Sequence, residues 1–315
     1  MLQVSPVCYS CKGKVKFQRQ LRHKKGGSMI TGLSHLLMGV SDVEACSELY
    51  QKMYLRLVAS GTSPEGLPLI ILSVGHHLME LYEDATAGPY IDPVTGDPKT
   101  SMMNEVSWVN HFSFHTRDAN IFYEKLVSKG FPFLQPPSDQ PLGHHGTRRR
   151  LLEFTDPDLL LVQIAQLLDD NGASAEPGDI DFSDLGWPEA SCDKIDHIAL
   201  RTNNLDLKRE FYCQKLELPE TICRTTRLGQ ESTVVAGDTV LELLWTSTTV
   251  PPLSRGIVTG IALSTDNVDL AYRTLRDKGV AVSAPAEELP LPEIRRRVIN
   301  LLDPDGLPVK IVQCF

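Results

Sequence analysis

The sequence predicts an α+β fold built from four βαβββ units, and three observations carry that reading. A strand-like opening recurs at Gly32-Leu-Ser-His35, Trp108-Val-Asn-His111, Lys194-Ile-Asp-His197 and Val258-Thr-Gly260, each followed by a helix-like stretch and then strand-like runs. Glu80 follows His35 at the interval at which Glu242 follows His197, and Gly75-His-His-Leu-Met-Glu-Leu81 aligns with Gly237-Asp-Thr-Val-Leu-Glu-Leu243. The second and fourth units share an arginine triplet ahead of Asp-Pro-Asp, from Arg148 to Asp156 and from Arg295 to Asp303. They also share Tyr-x-x-Leu-x-x-Lys-Gly, at Tyr123 to Gly130 and Tyr272 to Gly279. Repetition of this kind fixes architecture before any single element is assigned.

In chain order, residues 1–28 stand apart. They carry Lys12, Lys14, Lys16, Arg19, Arg22, Lys24 and Lys25 with no acidic residue, and they lack the apolar run of a signal peptide. Cys8-Tyr-Ser-Cys11 has no second Cys or His pair nearby to complete a zinc site. Lys25-Gly-Gly-Ser-Met29 can be encoded by a purine-rich ribosome-binding sequence before a start codon, so residues 1–28 are expected to be a disordered or non-native extension.

In the first unit, Ser41 and Asp42 cap an amphipathic helix over Val43–Met53. Gly61–Gly66 then turns between strands Leu55–Ala59 and Leu67–Val74. Ala85–Asn104, rich in Gly, Pro and Asp, reads as a loop. In the strand Trp108–Thr116, alternation sends Phe112 and Phe114 to a core under the helix Arg117–Lys129, and His111, Ser113 and His115 to the opposite face. Asp156-Pro-Asp158 turns into Leu159–Ala165, and Pro251-Pro252 marks the join of the third and fourth units. The predicted domains are 29–166 and 193–315, with the acidic, Pro- and Gly-bearing segment 167–192 as the linker.

A chain of 315 residues accommodates two ordinary domains. Its formal charge of −9 gives no basic footing for nucleic acid, and no apolar run reaches the roughly 18 residues of a membrane span. The 7 cysteines, scattered over this length, suit a reducing compartment and a cytoplasmic protein.

With the His-bearing first strand, the late x-Leu-Glu-Leu strand and Asp-Pro-Asp before the last strand in register over residues 30–166 and 193–315, the chain resembles the vicinal oxygen chelate superfamily. That superfamily includes glyoxalase I, methylmalonyl-CoA epimerase, fosfomycin-resistance proteins and extradiol dioxygenases. The resemblance implies two domains, each pairing two consecutive units into an open, curved mixed sheet flanked by helices. In the first half the superfamily's ligand positions carry His35, Glu80, His111 and Gln163, a set suited to one divalent transition ion such as nickel, zinc, cobalt, manganese or iron. Gln163 is either a ligand or a polar wall residue. In the second half the same positions carry His197, Glu242, Gly260 and Lys310. Glycine offers no ligand and an ammonium repels a cation, so this half reads as having lost its metal, with a Lys310–Glu242 salt bridge in the ion's place.

Three functions follow from the resemblance. The first is a glyoxalase- or epimerase-like lyase or isomerase, in which the ion stabilises an enolate or enediolate and Glu80 is both ligand and base. The second is an Fe(II) extradiol-type dioxygenase, and the third a non-catalytic small-molecule binding or resistance protein. His115 reads as a proton shuttle or a rim histidine. Arg148-Arg-Arg150 splits between faces, so that Arg148 and Arg150 are candidates to hold an anionic substrate or to lie on the surface. His76-His77 and His144-His145 read as exposed. The partner is a small-molecule substrate, with no nucleic acid and no membrane. Four units in one chain let each site close without a second copy, as a monomer or a homodimer.

Overall fold

The structure is a computed structural model and describes residues 29–92, 94–100, 107–140, 148–169, 172, 191–226, 229–247, 257–291 and 294–315. Residues 1–28 with Cys8 and Cys11, the His144-His145 pair and most of the 167–192 linker lie outside the described residues.

Alternation builds each unit. The first consists of β1 (Gly32–Val40), α1 (Val43–Lys52), β2 (Arg56–Thr62), β3 (Pro68–Val74) and β4 (His77–Glu83). Two-residue strands β5 (Tyr90–Ile91) and β6 (Pro98–Lys99) pair within the segment read as a loop. The second unit is β7 (Val109–Thr116), α2 (Ala119–Val127), β8 (Phe133–Gln140), β9 (Arg148–Thr155) and β10 (Leu161–Leu168). The third is β11 (Cys192–Thr202), α3 (Leu205–Arg209) running on as a π-helical turn over Glu210–Lys215, β12 (Glu220–Thr226), β13 (Gly229–Ala236) and β14 (Thr239–Trp245). The fourth is β15 (Val258–Ser264), α4 (Val268–Asp277), β16 (Ala286–Leu291), β17 (Ile294–Leu302) and β18 (Pro308–Cys314). Each α-helix starts on an Asp or Asn whose side chain accepts a backbone N–H of the first turn: Asp42, Asp118, Asn204 and Asn267. Among the described residues, no helix is long and apolar enough to cross a membrane.

The strands form two eight-stranded mixed, curved sheets, ordered β16-β17-β18-β15-β1-β4-β3-β2 and β12-β13-β14-β11-β7-β10-β9-β8. The α+β class and the four-unit repeat hold. The pairing of units within each half does not. The first sheet joins units one and four through antiparallel β1 and β15, and the second joins units two and three through antiparallel β7 and β11. The cause is that all four opening strands carry the same alternation, so periodicity alone does not specify which two pair.

Consecutive units still associate, but through their helix-covered faces. Tyr50 of α1 packs against Phe112 and Phe114 of β7, with ring centroids 6.5 and 6.2 Å apart, and its hydroxyl donates to Asp156 at 3.3 Å. Ser41 donates to Asp158 through both its backbone N–H and its hydroxyl. The second half repeats the device: Tyr212 donates to Asp303 at 3.1 Å, and the fully buried Lys208 reaches Asp303 at 2.5 Å and Asp305 at 2.7 Å. Each Asp-Pro-Asp turn is thus a tie between neighbouring units.

The sheets also touch where the β3–β4 and β13–β14 turns meet strands β11 and β1. Gly75 (φ +59°) lies so close to Asp193 that an added Cβ would stand 1.9 Å from its carbonyl oxygen. Gly237 (φ +72°) also lies close to β1, where the added Cβ would meet the Gly32 Cα at 2.7 Å. His77, read from the sequence as exposed, is buried here, because its Nδ1 accepts the Ile195 N–H at 3.0 Å while its Nε2 faces Asp238 at 3.3 Å. Gly75→Ala should therefore destabilise the protein by at least about 3 kcal/mol in urea unfolding. Gly66→Ala, at φ +86° with open space around it, should cost about 1–2 kcal/mol, the left-handed backbone penalty alone.

Candidate functional site

The concave face of the second sheet gathers the strongest set of ligand-type side chains. In the β7–β11 register Ala199 lies opposite His111 and Ser113 opposite His197, which sets the two histidines diagonally across the central strand pair on one face. Parallel pairing of β11 with β14 places Glu242 opposite Ala199, and parallel pairing of β7 with β10 places Gln163 opposite Ser113. His111 Nε2 is 3.1 Å from His197 Nε2 and 3.9 Å from Glu242 Oε2, and one ligand atom of each residue falls within 4.8 Å of the others.

The tautomers decide what this cluster can hold. His111 Nδ1 is 2.7 Å from Asn110 Oδ1, and His197 Nδ1 is 2.7 Å from Asp196 Oδ2. Both oxygens are acceptors, so each Nδ1 carries the proton and each Nε2 presents a lone pair. Two lone pairs then face each other at 3.1 Å beside a carboxylate, an arrangement that a cation between them would satisfy. Burial, with the neighbouring guanidinium charges of Arg149 and Arg201, holds the His111 imidazole well below its usual range, in the neutral ligand form. Burial raises the Glu242 carboxyl, opposed by His197 and Arg149. Burial would also raise Asp196, but Arg149 and His197 outweigh it and keep that group well below the carboxylate range. The Arg149 Nη1 contact to His197 Nδ1 at 3.3 Å joins two donors and is no hydrogen bond; the guanidinium is held through Asp196 Oδ2 at 3.3 Å. Gln163 Nε2 donates to Glu153 Oε1 at 2.9 Å, which turns its amide oxygen the other way. These residues could hold a divalent metal.

The expected set of His35, Glu80, His111 and Gln163 is divided between the sheets. His35 and Glu80 lie in the first sheet, opposite the positions of Gly260 and Lys310. Glu80 is clamped by Arg296, which donates to both carboxylate oxygens and also to Glu288 Oε1 at 3.0 Å. Lys310 pairs with Glu288 at 2.6 Å, not with Glu242. Burial lowers His35 to about 4, against the pull of Glu80 3.7 Å away, so it is neutral beside an ion-paired carboxylate. Gly260 is there because strands crowd it: an added Cβ would meet the Pro308 carbonyl oxygen at 2.9 Å. The first cleft is closed by its own salt bridges, and Glu80 is not free to serve as ligand and base.

Other expectations also move. His115 is buried, not on a rim, and its Nδ1 is 2.6 Å from Asp193 Oδ1. Arg148 and Arg150 both reach Asp139 on the edge strand β8, and Arg149 is the member of the triplet that turns into the cleft. The alternation of the strand requires that split. A second cluster, His76, His77 and Asp238, is also close enough for a metal. There, however, His77 Nδ1 accepts a backbone N–H, which leaves the proton on Nε2, the atom an ion would need.

His197, Glu242, Asp196 and Asn110 are the residues that sequence reasoning left out of the site. A signal was present in the ligand inventory. Units two and three carry His, Gln, His and Glu at the equivalent positions, whereas units one and four carry His, Glu, Gly260 and Lys310.

The Glyoxalase/Bleomycin resistance protein/Dioxygenase superfamily model matches residues 32–164 and 194–311. No curated protein matches the chain. Among solved structures, glyoxalase I from Zea mays is similar over 90% of this chain and 92% of its own, at 18% identity and a TM-score of 0.62. A putative dioxygenase from Bacillus subtilis subsp. subtilis str. 168 covers 91% of this chain and 86% of its own, at 17% identity and a TM-score of 0.63. At these identities the likeness is one of fold.

The first cleft generates its own prediction. Arg296→Met should destabilise the protein by about 3–5 kcal/mol, since Glu80 would stay buried without its counter-charge. Adding Glu80→Gln should recover most of that loss in urea unfolding, because the uncompensated charge is then gone.

Proposed function

The chain belongs to the Glyoxalase/Bleomycin resistance protein/Dioxygenase superfamily, and we propose that it is a divalent-metal enzyme of the glyoxalase and epimerase kind, acting on a small oxygenated molecule in the second cleft. The observation that carries this reading is the pair of Nε2 atoms, of His111 and His197, held 3.1 Å apart beside Glu242. A bound ion would supply Lewis acidity toward a carbonyl, enolate or enediolate oxygen. His111, His197 and Glu242 would hold it, with the amide oxygen of Gln163 as a fourth ligand. These side chains bring one negative charge against two positive, which favours an anionic oxygen as the remaining ligand.

Proton transfer needs a carboxylate that is not a ligand, and Glu153 supplies it. It stands opposite Gln163 on adjacent antiparallel strands, hence on the same face, and its Oε1 accepts the Gln163 amide N–H. In this scheme Glu153 replaces Glu80 as the group that removes and returns the proton α to the carbonyl.

A second reading is favoured by one observation. His111, His197 and Glu242 already form a two-histidine, one-carboxylate set, the ligand type of non-haem Fe(II) oxygenases, without Gln163. Metal content together with turnover separates the two. The purified wild-type chain should carry about one divalent ion, lost in His197→Ala and Glu242→Ala and retained in His35→Ala. It should exchange deuterium from solvent into the carbon α to the carbonyl of a 2-hydroxycarbonyl substrate, about 100-fold more slowly in Glu153→Gln. Iron with oxygen uptake on catechols would move the chain to the dioxygenase reading. A wild type without metal would leave a non-catalytic binding protein.

A further inference from the structure

We infer that Asp196 is a positioning residue that keeps the second cleft open to a metal, by holding Arg149 on itself and away from Glu242. The inference rests on the reading of that cleft as the metal centre. It comes from setting the two clefts side by side, because each contains the same buried arginine with a different partner.

Arg149 and Arg296 are the middle members of the two triplets that precede Asp-Pro-Asp, and both are buried on the strand next to the sheet edge. In the first cleft Arg296 lies on the cleft carboxylate, donating to both oxygens of Glu80. In the second cleft the corresponding carboxylate is Glu242, and Arg149 instead pairs with Asp196 Oδ2 at 3.3 Å. Two substitutions between the units account for the difference. The residue before the first-strand histidine is Asp196 in the second sheet and Ser34 in the first. Ser34 Oγ, 3.1 Å from His35 Nδ1, can serve the imidazole but has no charge to hold a guanidinium. The residue opposite the arginine on the edge strand is Glu288 in the first sheet and Gln140 in the second. Arg296 is therefore drawn to Glu80 and Glu288, while Arg149 is drawn back to Asp196.

The consequence is electrostatic. A guanidinium on the cleft carboxylate neutralises the charge that attracts a divalent ion and adds repulsion of its own, and in a buried site neither effect is screened by water. Asp196 also accepts the His197 Nδ1–H at 2.7 Å, so one carboxylate fixes the tautomer of a ligand and withdraws the competing cation.

The test uses cobalt(II), titrated into the chelator-stripped full chain and followed by its visible spectrum, with a crystal structure of metal-free Asp196→Ser. That variant should bind cobalt at least ~100-fold more weakly than wild type, and Arg149 should lie on Glu242 in the crystal. Asp196→Asn keeps an acceptor for the imidazole but loses the charge, and should be weakened at least ~10-fold. Asp196→Ser with Arg149→Met removes both buried charges and the competitor, and should regain at least ~10-fold over the single variant. Unchanged affinity in Asp196→Ser or Asp196→Asn, or no recovery in the double variant, would overturn the inference. So would an Arg149 that stays in place in the crystal. Absence of cobalt binding in the wild type would instead defeat the metal reading, and the position of Arg149 in Asp196→Ser would still decide this inference.

Discussion

Antiparallel pairing of the opening strands, β7 with β11 and β1 with β15, is the constraint on which the rest of the structure depends. It sets which units share a sheet, and so which four strands face one cleft. It also sets register: a slip of one residue would send His111 to the core side and Phe112 to the cleft. The same chain, paired within its halves, would place Arg296 and Lys310 beside Glu242 and leave His111 beside Glu80. Sheets formed across the halves instead sort the charges, with the arginine-clamped carboxylate in one cleft and the histidine pair in the other.

The two clefts show how one architecture serves two ends. In the first, Arg296, Glu80, Glu288 and Lys310 balance two charges of each sign, and a neutral His35 lies alongside. A buried network of this kind satisfies its members without a ligand, and removing one partner is costlier than removing two. In the second, both imidazoles point Nε2 inward because their outer Nδ1 nitrogens are occupied by Asn110 and Asp196. The difference lies in the histidines and in their neighbours, since the second cleft has His111 where the first has Gly260, and Asp196 where the first has Ser34. The tying of Asp-Pro-Asp turns to Tyr50 and Tyr212 leaves both clefts free of that work, because those contacts lie on the helix-covered faces.

Much of this was legible in the residues. The repeat gave four βαβββ units, and alternation in Trp108–Thr116 put Phe112 and Phe114 in the core and His111 on the other face, as observed. The helix start at Asp42 was marked by its capping side chain, whereas the second helix, read from Arg117, begins after the cap Asp118. Unit pairing was not legible, because it depends on contacts between strands far apart in sequence whose patterns are alike. The site was therefore read as His35, Glu80, His111 and Gln163, a set that the observed topology divides between the two sheets. Burial of Arg149 in place of Arg148 and Arg150 follows from strand parity, but the phase of β9 becomes fixed only when its partners are known. The burial of His115 and His77 depends on Asp193 and Ile195, residues of another unit altogether.

On the proposed reading the metal centre spans the two halves of the chain, between β7 and β11, and the other cleft holds none. Anomalous diffraction from crystals of the metal-loaded full chain, recorded at the absorption edge of the bound ion, tests it most directly. One peak per chain is expected, in contact with His111, His197 and Glu242. A peak beside His35 and Glu80, with Arg296 displaced, would contradict it.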